Sequence, residues 1–297
     1  MCLMSVKKLK INRDNEGRRL DNFLLSIYKD IPKTKIYKII RKGEVRVNSS
    51  RVKPHYKLLF EDLIRIPPNL ISDKSETKFI NKKDLELHLS DILYDDANYL
   101  IVNKRHNISV HGGTKNNIGL IDLVRKKFGE HIDLCHRLDK NTTGCLVFAK
   151  NKKTVKHFND ALKNHHITKT YTAILKGHLK KDVSINKPIY KDDPKKLKSS
   201  TSKIKIIRYL KKCTLAEIEI FTGRTHQIRI HTSSIDHPIL FDEKYGDRDF
   251  NKIFKLNSYR NIALHSKSII FKDMNSKLID VSAKSPLFFN QLIEELK

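Results

Sequence analysis

Near the start of the chain, apolar residues recur first with a helical period and then with a strand period. Leu20, Phe23, Leu24 and Ile27 fall at i, i+3, i+4 and i+7, which predicts a helix with one buried face. Ile31-Pro32 interrupts it. A second short helix is expected from Lys35, with Ile36, Ile39 and Ile40 inward and Gly43 as its stop. Val45 and Val47 then alternate with Glu44 and Arg46, Asn48-Ser49 supplies a turn, and Leu63–Ile66 returns as a strand ended by Pro67-Pro68. Two helices and a small ribbon make a compact unit over residues 12–68.

Residues 69–90 are polar, Lys-rich and weakly periodic, which reads as a linker, mobile when no ligand orders it. From residue 91 to 297 strand patterns dominate. Ile92–Lys104 reads as two strands around a turn at Asp95-Asp96-Ala97-Asn98, whose acids fit turn chemistry better than a metal ligand set. A helix is expected near Leu120–Phe128, and Cys145–Ala149 is an apolar, strand-like run. Val155, Phe158, Ala161 and Leu162 mark an amphipathic helix, and Lys169–Leu175 a strand. Ala216, Ile218 and Ile220 alternate with Glu217 and Glu219 as a strand running into an Arg/His-rich loop. Ile262–Phe271 is another strand pattern, and Leu287–Leu296 a closing helix. Many strands with few, separated helices imply an α+β domain on a mostly antiparallel sheet.

The charge adds a partner to this picture. The 297 residues carry 60 Lys and Arg against 33 Asp and Glu, a formal charge of +27, far beyond what solubility requires. Such an excess points to a polyanion, nucleic acid first. A membrane surface would also attract it, but no apolar run is long enough to span a bilayer and the first residues lack the apolar core of a signal peptide, so a soluble cytoplasmic protein is expected. The outward positions of the first unit, among them Lys35, Lys38, Arg41, Lys42 and Arg46, form a positive face for an RNA backbone. The Lys-rich stretch 185–205 is either an RNA-contacting insertion or a solvated loop. Cys2, Cys135, Cys145 and Cys213 show no C-x-x-C pair or zinc-like spacing, and read as reduced thiols, most of them in the core. No metal site is expected.

Two stretches carry candidate chemistry. His136–Lys150 (HRLDKNTTGCLVFAK) sets Asp139 beside Arg137 and His136 before an apolar strand, either as an incidental Arg/Asp pair on an exposed turn or as a held carboxylate. Thr222–Asp247 packs Arg224, His226, Gln227, Arg229 and His231 into a short run. HRLDKNTTG, GRTHQIRIH and HPILFDEKYG, in this order, resemble the RluA-type family of RNA pseudouridine synthases. Val110–Gly113 (VHGG), Tyr245–Phe250 (YGDRDF) and the basic amino-terminal unit resemble most the C-type enzymes of large-subunit ribosomal RNA. The pattern RLDNFL…KIYKIIRKGEVRVN is similar to an S4-type RNA-binding domain. Ser49 stands where that family usually has a turn glycine, Glu61-Asp62 replaces the usual Gly-Asp, and Lys104-Arg105 replaces the usual Lys-Pro.

The resemblance implies an S4-type domain followed by a catalytic domain with a bent mixed, mostly antiparallel sheet and an active site in a basic cleft. It implies isomerisation of specific uridines to pseudouridine in large-subunit (23S) ribosomal RNA or an assembling large subunit, without cofactor or metal. Asp139 is then the catalytic carboxylate, Arg229 its ion-pair partner, and Tyr171 the pocket tyrosine. Without the resemblance Tyr171 would equally be a core residue of its strand. Arg137 is the candidate for holding the flipped nucleotide or its vacated space, and Arg224, His226 and Gln227 organise the loop or contact RNA. A monomer is the default. Transfer RNA or another RNA as substrate, an RNA-directed hydrolase, and a non-catalytic RNA-binding or ribosome-assembly protein are the alternatives.

Overall fold

The computed structural model describes residues 6–28, 31–68, 80–112, 118–191, 193–254 and 261–297, in two units, Met1–Phe79 and Ile80–Lys297. Cys2, Gly113 and residues 69–79 of the expected linker lie outside the described residues.

The first unit contains β1 (Lys7–Lys10), α1 (Leu20–Ile27), α2 (Lys33–Lys42), β2 (Arg46–Val47) and β3 (Leu63–Ile66). Its strands run antiparallel in the order β1-β3-β2. Leu20, Phe23 and Leu24 pack with Ile36, Ile39, Ile40, Val45, Val47, Ile64 and Ile66 in one apolar core. Ile27, expected there, is exposed; it shares the face of Leu20, but as the last residue of α1 it lies past the residues that pack in this core. α2 opens two residues before the expected start because Pro32 takes the N-cap with its fixed φ. Gly43, at φ 73°, stops it, and the amides of Gly43 and Glu44 close on the carbonyls of Ile40 and Ile39.

The two departures from the S4 pattern fall on left-handed backbone. Asn48 (φ 47°) and Ser49 (φ 68°) are both positive, as a tight hairpin turn demands, and so is Glu61 (φ 68°). Glycine adopts these angles freely; serine and glutamate hold them against a steric penalty. Asn48 offsets part of it, since its side chain bonds Asp62 and accepts from the Leu63 amide, both at 2.8 Å.

The second unit opens with α3 (Lys82–His88), β4 (Ile92–Asp95), β5 (Tyr99–Lys104), α4 (Leu120–Phe128), β6 (Asp133–Leu134) and β7 (Thr143–Ala149). The helix α3 occupies part of the expected linker. Asn81 caps it, and Leu85 and Leu89 tie it to the core beside α4, a long-range anchor that the short, Lys-rich segment does not advertise. The Asp95–Asn98 stretch is a turn: the Asp96 carboxylate accepts from the amides of Asn98 (2.7 Å) and Tyr99 (2.6 Å) and from the Tyr94 hydroxyl (2.7 Å). Then follow α5 (Lys152–Lys163), β8 (Thr168–Lys176), β9 (Val183–Asn186), β10 (Ile189–Lys191), β11 (Asp193–Lys198), β12 (Thr201–Leu210) and β13 (Cys213–Ile220). The stretch 185–205 is therefore built of strands, with β10 and β11 as a hairpin, rather than a solvated loop. The chain ends with α6 (Gln227–Ser233), α7 (Arg248–Ile253), β14 (Leu264–Lys272), β15 (Leu278–Ser282) and α8 (Leu287–Glu295).

Ten of these strands form one sheet, ordered β4-β5-β7-β14-β8-β13-β12-β9, with β15 on β14 and β6 on β7. Among the described residues every pairing is antiparallel except β7 with β14. The middle of the sheet is buried on both faces. Leu100, Val102, Leu146 and Phe148 face one core with α4 and α8, while Tyr99, Ile101, Cys145 and Val147 face another with Phe158 of α5. That is why residues 145–149 read as an unbroken apolar run instead of an alternation. Cys135, Cys145 and Cys213 are buried free thiols. Among the described residues no helix is long and apolar enough to cross a membrane.

Candidate active site

Asp139 sits in the loop between β6 and β7, and the loop is held from beneath by Lys104. This lysine, at the end of β5, is fully buried, and its ammonium donates to the carbonyls of Arg105 (3.0 Å), Lys140 (2.9 Å) and Thr142 (2.8 Å). Burial pushes its pKa down and Asp139 pulls it back, while three carbonyl partners use all three donors of the charged form. The loop enters β7 through Thr143, whose hydroxyl bonds buried His265 of β14 at 2.8 Å. Gly144 follows at φ 106°; a Cβ there would lie 2.1 Å from the Ser266 carbonyl, so the close approach of β7 to β14 requires glycine. The C-terminal side of the HRLD turn is thus fixed by the central strands β5, β7 and β14.

Arg229 reaches Asp139 from α6, 90 residues later in sequence, with Nη1 donating to Oδ2 at 3.0 Å. Two more of its donors go to Asp242: Nε to Oδ2 at 2.7 Å and Nη2 to Oδ1 at 2.8 Å. The Asp242 carboxylate is almost wholly buried and also accepts from the amides of Lys244 (2.9 Å) and Tyr245 (3.0 Å). Burial opposes its charge, but Arg229 and these amides hold its pKa below the usual carboxylate range. Burial likewise opposes the Arg229 charge, and Asp242 and then Asp139 hold its pKa above the ordinary value. Arg229 is therefore a fixed cation aimed at Asp139, with Asp242 setting its orientation. Asp242 lies in the HPILFDEKYG motif, directly after the apolar run Ile239-Leu240-Phe241, but its bond to Arg229 is not legible in the sequence.

His226 caps α6 in the left-handed region, φ 55°, and stands by Tyr245, whose hydroxyl lies 3.1 Å from its Nδ1. Its Nε2 is 3.7 Å from Asp139 Oδ1, too long for a hydrogen bond. Burial lowers its pKa against the pull of Asp139, so the ring is neutral near neutral pH. Gln227 is buried and spends its amide inside the protein, accepting from Thr222 (2.7 Å) and the Arg224 amide (3.1 Å) and donating to the Thr201 carbonyl (2.9 Å). These bonds tie the segment before α6 to the start of β12. The segment 227–233 itself is helix, not loop, despite the strand-like alternation of Ile228 and Ile230.

A cavity of about 170 Å³ opens beside Asp139, lined among others by Arg137, Lys169, Tyr171, Arg224 and Arg229. A second recess of about 260 Å³ shares Arg137, Asp139, Thr142, His226 and Arg229 with it. Tyr171, in central β8 between Ile218 and Ser266, is buried, and burial raises its phenol pKa. It therefore stays protonated near neutral pH. Arg137 is exposed at the mouth, with no ion-pair partner among the described residues. Arg224 is half-buried, its Nε 3.3 Å from the Ser199 carbonyl. His136 also lines the cavity, but its ring is committed to the fold: it stacks on Phe158 with ring centroids 6.0 Å apart, accepts from the Val147 amide at 3.2 Å, and burial pushes its pKa down to about 3. Among the described residues no group of three His, Cys, Asp or Glu could hold a metal.

In the first unit α2 presents Lys35, Lys38, Arg41 and Lys42 as exposed side chains, with Lys33 and Arg41 over the Tyr37 ring at 5.5 and 5.9 Å. Arg46 is half-buried and partly committed to the backbone, its Nε 3.3 Å from the Gly43 carbonyl.

The family model for RNA pseudouridylate synthase matches residues 98–234, spanning Asp139, Tyr171 and Arg229, and that for the S4 domain matches residues 18–64. The ribosomal large subunit pseudouridine synthase C of Haemophilus influenzae is 38% identical over 286 residues, 90% of this chain and 88% of that protein. The chain belongs to the RNA pseudouridylate synthase family. The protein of the same name from Buchnera aphidicola is 37% identical over 91% of this chain and 90% of its own length. In fold, the human RNA pseudouridylate synthase domain containing 4 superposes with a TM-score of 0.60 at 23% identity, over 72% of this chain and 95% of that one. As a member of this family the protein is an isomerase, joined here to an amino-terminal S4 domain.

Proposed function

We propose that the protein converts uridine to pseudouridine in large-subunit ribosomal RNA, with Asp139 acting at the ribose of an extracted nucleotide. The observation that carries this reading is the Asp139–Arg229–Asp242 chain at the edge of a cavity of about 170 Å³. A carboxylate held in place by one arginine is poised for attack at C1′ or for proton transfer at the sugar. One carboxylate with an arginine, and no second acid among the described residues lining this cavity, fits rejoining of the base rather than hydrolysis. Tyr171 offers a flat ring for the uracil and a protonated phenol. Arg137, at the mouth, holds the flipped nucleotide or fills its place. Loss of turnover by Arg137→Ala on a short unpaired strand as well as on structured RNA would remove that role.

The S4 unit holds the RNA through the α2 cations. The names of the relatives, both large-subunit synthases, support ribosomal RNA as the substrate over transfer RNA. The protein works on this reading as a cytoplasmic monomer. Pseudouridine mapping of large-subunit ribosomal RNA from cells lacking the protein tests it. Specific sites should disappear and return with the wild-type gene; unchanged large-subunit sites would transfer the question to transfer RNA and to the non-catalytic reading.

A further inference from the structure

Lys169 precedes Tyr171 by two residues on β8, so strand alternation sends both side chains to one face, and both line the cavity beside Asp139. Yet Lys169 is only 3% exposed. Among the described residues its ammonium makes one hydrogen bond, to the Thr222 carbonyl at 3.2 Å, leaving two donors unspent. Gly223 lies over it, close enough that a Cβ would stand 3.4 Å from Nζ. Among the described residues no carboxylate pairs with Lys169; its charged neighbour across the cavity is Arg224, another cation. Burial and Arg224 together pull its pKa down to about 8.

Buried charges persist where something pairs with them. Among the described residues no carboxylate pairs with Lys169, and Asp139, the acid that lines the same cavity, is bonded to Arg229, so the partner enters the cavity from outside. RNA phosphates remain with the exposed Arg137 at the mouth; a group this deeply buried is reached by the base. On the reading above, that base is uracil, which carries two ring carbonyls and becomes an anion during the reaction. We propose that Lys169 Nζ donates to a ring oxygen of the extracted uracil and stabilises the negative charge that develops as the N1–C1′ bond breaks. The electron pair of that bond stays on the ring, shared between N1 and the carbonyl oxygens. The new bond then forms from C5 to C1′, the C5 proton leaves and N1 gains one, so composition is unchanged. Lys169 keeps its own protons throughout and acts by charge.

The test uses the full-length protein and an RNA bearing one mapped site, synthesised with uridine or with the more acidic 6-azauridine at that position. Lys169→Met is expected to lower the single-turnover rate on uridine about 100-fold, with RNA affinity nearly unchanged. On 6-azauridine the deficit should shrink severalfold, because a better leaving group needs less help. The variant should also melt no lower than wild type, since an unpaired buried charge has been removed. Near-wild-type turnover on uridine, equal deficits on both bases, or a lowered melting temperature would each overturn the proposal. A loss confined to affinity and its salt dependence would make Lys169 a phosphate ligand instead. Asp139→Asn is run alongside: if it turns over normally the cavity reading itself fails, whereas an inactive Asp139→Asn beside an active Lys169→Met removes only the role of Lys169.

Discussion

Replacing Asp242 by asparagine separates orientation of the catalytic carboxylate from its identity. Oδ1 of Asp242 accepts three bonds, from Arg229 Nη2 (2.8 Å), the Lys244 amide (2.9 Å) and the Tyr245 amide (3.0 Å). An asparagine oxygen placed there keeps all three. The amide nitrogen then falls where Oδ2 stood, 2.7 Å from Arg229 Nε, donor against donor. The charge-assisted bond lost is worth about 1.5–3 kcal/mol, and the stranded donor adds about 1–3 kcal/mol. A loss of about 3–5 kcal/mol in unfolding free energy follows, the usual result of breaking a buried pair from one side. Arg229 must also rotate to relieve the clash, carrying Nη1 away from Asp139, and a displacement near 1 Å costs about 100-fold in turnover. Chemical unfolding together with single-turnover pseudouridine formation measures both. The folded-state pKa of Asp242 lies below 3.8, so its contribution is full above that value and fades as pH falls through the lower, folded value. The variant should accordingly lose less stability than wild type on acidification below pH 4. Stability within about 1 kcal/mol of wild type, with turnover unchanged, would refute the claim that Asp242 orients Arg229.

Other consequences follow from the same geometry. Ser49→Gly removes a left-handed serine and should stabilise the S4 unit by about 0.5–1 kcal/mol, whereas Ser50→Gly should not; thermal unfolding distinguishes them. Replacing Lys38 and Arg41 together by alanine should weaken RNA binding and flatten its dependence on log salt by roughly 0.7–0.9 per lost phosphate contact, read from filter binding across salt concentrations. Tyr171→Phe keeps the ring and should retain turnover if stacking is the role, while Tyr171→Leu should lose about 1–3 kcal/mol of base stacking. A Phe variant as slow as the Leu variant would make the phenol essential.

The sequence made the poles of the site visible and hid what holds them. HRLD and GRTHQIRIH were dense in unusual residues, and the resemblance paired Asp139 with Arg229, which the structure brings to 3.0 Å. Lys104, Asp242 and Lys169 stood out far less, since a buried lysine and a solvated one look alike in a chain with 60 basic residues. Their roles depend on contacts such as Lys104 to the Thr142 carbonyl, 38 residues away, that no local period encodes. Fold class and most strands were legible because alternation and apolar runs are local properties. Three helices escaped: α3 is short and Lys-rich, α6 carries Ile228 and Ile230 at a strand-like interval, and α7 spans only six residues. The solvated-loop reading of 185–205 failed because lysines on strands and on loops leave the same composition.

The central claim is that Asp139 carries the chemistry while Arg229 and Asp242 hold it in place. The direct measurement is pseudouridine formation by purified Asp139→Asn on large-subunit ribosomal RNA, beside wild type and with RNA affinity determined for both. The account predicts no product above background from the variant, with affinity and melting temperature close to wild type. Near-normal turnover by Asp139→Asn would contradict it.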